Sequence, residues 1–93
     1  MLRRAAKVDV NQPEIVAGLR KAGFSVLIIS QLKNCCDIIA GKDGRNWLLE
    51  IKPNAKAKLT EGEVKFHENW KGSVYIVTSV EEALEVMNND LNK

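Results

Sequence analysis

The chain has 93 residues, with 45% hydrophobic and 28% charged residues and a formal net charge of +2. This length allows one small domain with a single hydrophobic core, and the composition excludes a mainly disordered chain. The longest apolar run covers residues 26–29, far fewer than the roughly 20 residues that span a bilayer. The two cysteines are adjacent, at Cys35 and Cys36, which excludes a disulfide framework and a zinc ribbon.

The first predicted helix begins at Asn11 and ends at Gly23. Asn is a good helix cap, Pro13 suits the first turn, and Glu14 lies three residues after the cap, as in a capping box. Apolar residues then recur with helical spacing until Gly23, a typical helix stop. Three strands are predicted next, over residues 24–30, 36–40 and 46–52.

The second half of the chain predicts a helix, a strand and a final helix. Thr60 with Glu63, and Ser79 with Glu82, have the spacing of capping boxes. The predicted elements are a helix from residue 60 to residue 70, a strand over residues 73–78 and a helix from residue 79 to residue 88.

This order indicates a single α/β domain over residues 1–93, arranged α-β-β-β-α-β-α. We expect a four-stranded mixed sheet with helices on both faces. We expect residues 1–10 to form a basic N-terminal arm and residues 89–93 a frayed tail.

The charges are unevenly distributed along the chain. Residues 1–58 contain 11 Lys and Arg against 5 Asp and Glu, a net charge of +6, whereas residues 59–93 contain 3 against 7, a net charge of −4. A basic segment of this kind suits a polyanionic partner such as a nucleic acid. An ordinary solvated surface shows the same asymmetry, so charge alone leaves both interpretations open. The N-terminus has no apolar stretch typical of a secretory signal, and we expect a cytoplasmic protein.

The turn between the second and third strands brings two acids together. With Asp43 and Gly44 at the centre of a type I′ turn, counting back along both strands places Asp37 opposite Glu50. Facing carboxylates repel each other, and the apolar residues around them strengthen that repulsion, so either a proton or a cation must lie between them. Strand alternation puts Lys52 on the same face as Glu50.

Carboxylate oxygens are ligands for Mg²⁺ or Mn²⁺ rather than for zinc. A metal ion held in this way polarises a phosphoryl oxygen and activates water, and a nearby lysine stabilises developing charge. The grouping therefore predicts a phosphodiester-cleaving site. A strand end with an ordinary surface ion pair is the alternative.

These residues resemble the PD-(D/E)XK nuclease signature, with Cys36-Asp37 on one strand and Glu50-Ile51-Lys52 on the next. The chain is similar to small phage-type members, close to the VRR-NUC and Holliday-junction-resolvase-like groups. The similar segments, which lie within residues 7–87, include residues 7–16, 37–41, 46–52, 59–60 and 67–70. Cys36 stands where the family has proline, and the Val-Arg-Arg signature of one group is missing.

The resemblance implies a restriction-endonuclease-like core and a bacterial or phage-encoded DNA endonuclease that depends on Mg²⁺ or Mn²⁺. It implies Asp37 and Glu50 as metal ligands, helped by the backbone carbonyl of Ile51, and Lys52 as the catalytic lysine. Glu14 matches an acidic position that often joins the site. Because so small a chain offers little surface for gripping duplex or branched DNA, we expect a homodimer.

Two other classes of function stay open. The first is a non-catalytic nucleic-acid-binding module on the same core. The second is a small subunit that acts through a partner protein, suggested by the acids Glu81, Glu82 and Glu85 on the last helix.

Several further residues each have two interpretations. Glu14 is either a helix-capping residue or a third acid of the site. The basic residues that either contact nucleic-acid phosphates or lie free in solvent are Arg3, Arg4, Lys7, Lys56 and Lys58. We expect His67 to be a surface or rim residue rather than a catalytic base, and Trp47 and Trp70 to be buried rather than stacked on bases. The two cysteines are expected to be a reduced, partly buried pair.

Overall fold

A computed structural model of the chain describes residues 9–93, so Arg3, Arg4 and Lys7 of the predicted basic arm lie outside the described residues. The elements are α1 (Gln12–Lys21), β1 (Ser25–Ile28), β2 (Ile38–Lys42), β3 (Arg45–Ile51), α2 (Glu61–Asn69), β4 (Val74–Val77) and α3 (Val80–Leu91). They form an α/β domain with the predicted order α-β-β-β-α-β-α. The sheet order is β1-β2-β3-β4, with β1–β2 and β2–β3 antiparallel and β3–β4 parallel, which confirms a four-stranded mixed sheet.

The turn between β2 and β3 is the predicted type I′ turn. Asp43 has φ 54° and Gly44 has φ 79°, the positive values that this turn requires at both central positions. Lys42 therefore pairs with Arg45, and the same register continues back along both strands to the pair Ile38 and Leu49.

The start of α1 differs from the prediction. The Asn11 side chain makes no capping hydrogen bond, so the predicted capping box with Glu14 does not form. Instead, Asn11 Nδ2 donates to the carbonyls of Lys52 at 3.0 Å and Thr78 at 2.9 Å. These two bonds fix the N-terminus of α1 to the ends of β3 and β4. The helix ends before Gly23, whose φ of +96° suits the predicted stop.

One face of the sheet carries the hydrophobic core, which packs beneath α1 and α3. Its buried residues include Ile15, Leu19, Trp47, Leu49, Ile51, Val77, Ala83 and Met87. The burial of Trp47 confirms that prediction. None of the helices within residues 9–93 is long and apolar enough to cross a membrane.

Helix α3 continues past residue 88, where it was predicted to end, and reaches Leu91. Asp90 accepts hydrogen bonds from the indole N–H of Trp47 at 2.9 Å and from the hydroxyl of Tyr75 at 2.9 Å. These bonds, together with the packing of Leu91 against the core, extend the helix to Leu91.

Helix α2 lies against the opposite face of the sheet. Its capping box is present as predicted, because Thr60 Oγ1 accepts from the Glu63 N–H and the Glu63 carboxylate accepts from the Thr60 N–H. No residue of α2 is fully buried. Glu63 contacts Lys52, and His67 contacts Glu50. Glu50 is in β3 and Lys52 directly follows it, and strand alternation points both side chains away from the core. Two side-chain contacts thus connect α2 to the end of β3, and α2 packs far less closely than α1 and α3 do.

Candidate metal centre

The candidate site lies where regular pairing between β2 and β3 ends. The last ladder pair is Ile38 with Leu49, and the N–H of Asp37 donates to the carbonyl of Leu49 at 3.0 Å. Asp37 Oδ2 accepts the N–H of Ile51 at 2.7 Å. Asp37 and Glu50, which were predicted to face each other, are therefore not paired in the ladder. The N–H of Ile51 donates to the Asp37 carboxylate instead of to a main-chain carbonyl of β2. The two acids still come together at the strand end.

Glu50 is a buried ionisable residue of the site, with 2% of its surface exposed. Three buried polar side-chain atoms within residues 9–93 have no hydrogen-bond partner, and two of them, Glu50 Oε1 and His67 Nε2, lie 3.6 Å apart in this site. Buried polar groups are nearly always paired, and leaving one unpaired costs about 1–3 kcal/mol. The free oxygen of Glu50 is thus positioned to receive a proton or a cation.

Burial raises the pKa of Glu50 to about 9, and a hydrogen bond and charge repulsion from Asp37 add to this effect. Repulsion from Glu63 also raises it, while the charge of Lys52 opposes the shift. At neutral pH and without a cation, Glu50 therefore keeps its proton. A bound cation would displace that proton, since metals bind the ionised carboxylate.

Lys52 is held in the site by an acid that the sequence analysis assigned only to helix capping. Its Nζ donates to Glu63 Oε1 at 2.9 Å. Burial lowers the pKa of Lys52, but the hydrogen bond and charge of Glu63 outweigh burial, and the pKa is raised above its ordinary value. Burial raises the pKa of Glu63, but the Thr60 N–H and Lys52 lower it overall. The pair is therefore ionised at neutral pH.

His67 lines the site from α2, with 14% of its side chain exposed. Burial lowers the pKa of His67. The negative charge of Glu63 raises this pKa and the positive charge of Lys52 lowers it, and the pKa is lowered overall. The imidazole is therefore neutral at pH 7. The sequence carried no signal for the contact between His67 and Glu50.

The roles predicted for the other described site residues stay predictions. Glu14 is exposed on α1 and, within the described part of the chain, forms no hydrogen bond or ion pair with Asp37 or Glu50. Lys56 and Lys58 are exposed in the loop between β3 and α2. The role of the Ile51 carbonyl stays a prediction.

The two adjacent thiols precede Asp37 in the chain. Both cysteines are free; Cys36 is buried, with its Sγ 3.7 Å from the carbonyl of Ile38, and Cys35 is half-buried. Burial raises the pKa of the Cys36 thiol, which therefore stays protonated. Cys36 is thus a buried thiol directly before Asp37 in the chain.

The residues present suit a magnesium-type ion with few protein ligands. Within residues 9–93, no group of three or more His, Cys, Asp or Glu side chains is arranged to enclose a metal. Mg²⁺ commonly binds one or two carboxylates and keeps several waters. Asp37 and the unpartnered Glu50 oxygen match that donor set, whereas a zinc centre needs more nitrogen or sulfur ligands.

Comparison with protein-family models, with characterised proteins and with solved structures gives no match for this chain.

Proposed function

We propose that this protein is a divalent-metal-dependent nuclease that hydrolyses DNA phosphodiester bonds, with Asp37 and Glu50 as metal ligands assisted by the Ile51 carbonyl. The proposal includes a restriction-endonuclease-like core and a homodimer that acts on duplex or branched DNA. The observation that supports it most is the buried Glu50 carboxyl next to Asp37, one oxygen of which has no hydrogen-bond partner and lies 3.6 Å from His67 Nε2. Such an arrangement costs stability unless a proton or a cation fills it.

Each side chain has a distinct part in this proposal. A bound Mg²⁺ or Mn²⁺ would supply a Lewis acid and an activated water. The N–H of Ile51 fixes the Asp37 carboxylate, and the strand pair fixes Glu50 by burying it. Lys52, already charged and oriented by Glu63, places a positive charge near the carboxylates, where it would stabilise charge on a scissile phosphate.

Metal binding is tested by calorimetric titration with Mn²⁺. We expect the wild type to bind, Asp37→Asn to lose binding, and the matched control Glu85→Gln to bind as the wild type does, because Glu85 is an exposed acid on α3 and is not among the proposed ligands. Equal binding by Asp37→Asn and the wild type would contradict the assignment.

Cleavage is tested on supercoiled, single-stranded and four-way-junction DNA with Mg²⁺ or Mn²⁺. We expect Lys52→Ala to lower the cleavage rate by a factor of about 100 or more, as the removal of one charge-stabilising donor does in other enzymes. Identical behaviour of wild type and Lys52→Ala on all three substrates would exclude a catalytic role for this lysine.

A second candidate function is a non-catalytic DNA-binding module on the same fold. The ion pair between Lys52 and Glu63 favours it, because a lysine held at 2.9 Å by a carboxylate is less available to a phosphate. This candidate predicts salt-dependent DNA binding that does not change on addition of Mn²⁺.

A further inference from the structure

Trp70, directly after α2, is exposed, so the prediction that it is buried is wrong. Trp70 has 46% of its surface exposed, and its indole stacks on the Phe66 ring with centroids 5.4 Å apart and planes 24° apart. A Cβ at Gly72 would lie 2.9 Å from Trp70 Nε1, so the glycine backbone packs closely against the ring edge. The indole is thus held on one face and one edge while much of it faces solvent.

The stacked pair continues toward the candidate metal centre. The Phe66 ring meets the His67 ring edge to face, with centroids 6.0 Å apart and planes 80° apart. His67 Nε2 lies 3.6 Å from Glu50 Oε1. Three aromatic rings therefore lead from the buried carboxylate to the exposed indole. Trp70 follows His67 by three residues, which is about 5 Å along a helix axis.

Helix packing does not account for this exposed ring. No residue of α2 is fully buried, so Trp70 adds little to a core on this face of the sheet. Stacking of a nucleic-acid base on an aromatic side chain contributes about 1–3 kcal/mol and tolerates any base sequence. Among residues 65–71, two lysines and one acid are exposed, namely Lys65, Lys71 and Glu68, so this segment offers a small excess of positive charge for the attached phosphates.

We propose that Trp70, supported by Phe66, is a stacking platform for an unpaired DNA base. A duplex keeps its bases stacked on one another, so only a single-stranded or branched substrate with unpaired nucleotides near the scissile phosphate presents a free base face. The link between this platform and cleavage rests on the proposed nuclease function, whereas base stacking itself requires neither metal nor hydrolysis.

The test measures DNA binding in EDTA, so that no cleavage occurs. A labelled single-stranded oligonucleotide and a blunt-ended duplex of that strand with its complement are titrated with the full-length protein and followed by fluorescence anisotropy. We expect Trp70→Ala to weaken single-strand binding by about 5- to 100-fold, equivalent to the energy of one stacked base. Trp70→Phe should keep most of the affinity, and duplex binding should be unchanged in both variants.

Two further measurements separate stacking from charge. Single-stranded DNA should quench the fluorescence of the wild type but not of Trp70→Phe, because the remaining Trp47 is 1% exposed. Lys71→Ala should weaken the binding of both the single strand and the duplex, and it should reduce the salt dependence of that binding. Circular dichroism confirms that each variant is folded.

The proposal is overturned if Trp70→Ala binds the single strand as tightly as the wild type, or if it loses single-strand and duplex binding equally. Trp70-dependent single-strand binding without any metal-dependent cleavage would support the platform and contradict the nuclease. Cleavage of single-stranded DNA that is unaffected by Trp70→Ala would support the nuclease and contradict the platform.

Discussion

At the scale of single residues, Glu50 is the side chain on which the account of the site depends. Its carboxyl is buried on the side of β3 away from the core, close to Asp37 and His67, and one of its oxygens has no hydrogen-bond partner in the described part of the chain. A buried carboxyl of this kind is stable as a neutral acid or as a metal ligand, but not as a free anion. The same residue therefore links folding stability, pH and metal binding.

Glu50 makes the stability of the metal-free protein depend on pH. Its pKa is raised from 4.5 to about 9, so the folded protein keeps a proton that the unfolded chain releases. The Glu50 contribution is fully present below pH 4.5 and is lost as the pH rises toward about 9. We expect Glu50→Gln to remove this loss and to raise Tm at pH 8 by on the order of 5 °C, since about 1 kcal/mol shifts Tm of a domain this size by 4–8 °C.

This prediction is checked by thermal unfolding in EDTA from pH 5 to pH 9. Glu85→Gln, an exposed acid on α3, is the matched control and should follow the wild type. Parallel profiles of wild type and Glu50→Gln would show that the carboxyl is not buried as described.

At the scale of elements, the first turn of α2 combines capping with positioning of Lys52. Glu63 Oε1 accepts both the Thr60 N–H and the Lys52 ammonium at 2.9 Å. Thr60→Ala removes only the hydroxyl cap and should cost about 1 kcal/mol. Glu63→Ala also leaves a partly buried lysine unpaired, so it should be more destabilising than Thr60→Ala. Urea denaturation of both variants measures the difference, and equal losses would mean that the ion pair adds nothing to stability.

The contact between α1 and α3 depends on a glycine. A Cβ at Gly18 would lie 2.7 Å from a methyl carbon of Val80, a short and stiff side chain that has little freedom to move away. We expect Gly18→Ala to destabilise the fold by about 1–3 kcal/mol through overpacking. The double variant with Val80→Ala should recover part of that loss. No recovery in urea denaturation would indicate that the glycine matters for a reason other than this contact.

Local patterns predicted the element order, the type I′ turn and the capping box of α2, because each depends on residues close together in the chain. The end of the hairpin was harder to predict, since Asp37 bonds a main-chain amide of β3 instead of pairing in the ladder. The roles of Glu63 and His67 arise only when α2 docks on the sheet, which no short-range pattern encodes. Trp70 was predicted to be buried because large aromatic residues usually are, but the second face of the sheet has too little packing to cover it.

At the scale of the whole molecule, the C-terminal end of α3 closes one end of the core. Asp90 bonds the indole of Trp47 and the hydroxyl of Tyr75, and Leu91 packs against the core residues. We expect a chain that ends at Asn88 to unfold at a clearly lower temperature than the wild type, because the buried indole N–H loses its acceptor. A chain that ends after Leu91 should keep nearly all of the stability. Equal Tm values for the two truncated chains would contradict the ordered end of α3.

The molecule as a whole places an acidic pair within a basic half of the chain. Residues 1–58 carry a net charge of +6, with 11 Lys and Arg against 5 Asp and Glu, and two of these five acids meet at the end of the β2–β3 hairpin. A segment with this excess of basic residues suits a polyanion, while the acidic pair is the part of the molecule suited to a cation. The proposed nuclease uses both features together.

The most direct test of this account is a crystal of the protein soaked in Mn²⁺ and measured at the manganese absorption edge. We predict an anomalous peak within coordinating distance of the Asp37 and Glu50 carboxylates, and no such peak in crystals of Asp37→Asn. A fully occupied manganese position elsewhere, with the space between these two carboxylates empty, would contradict the central claim.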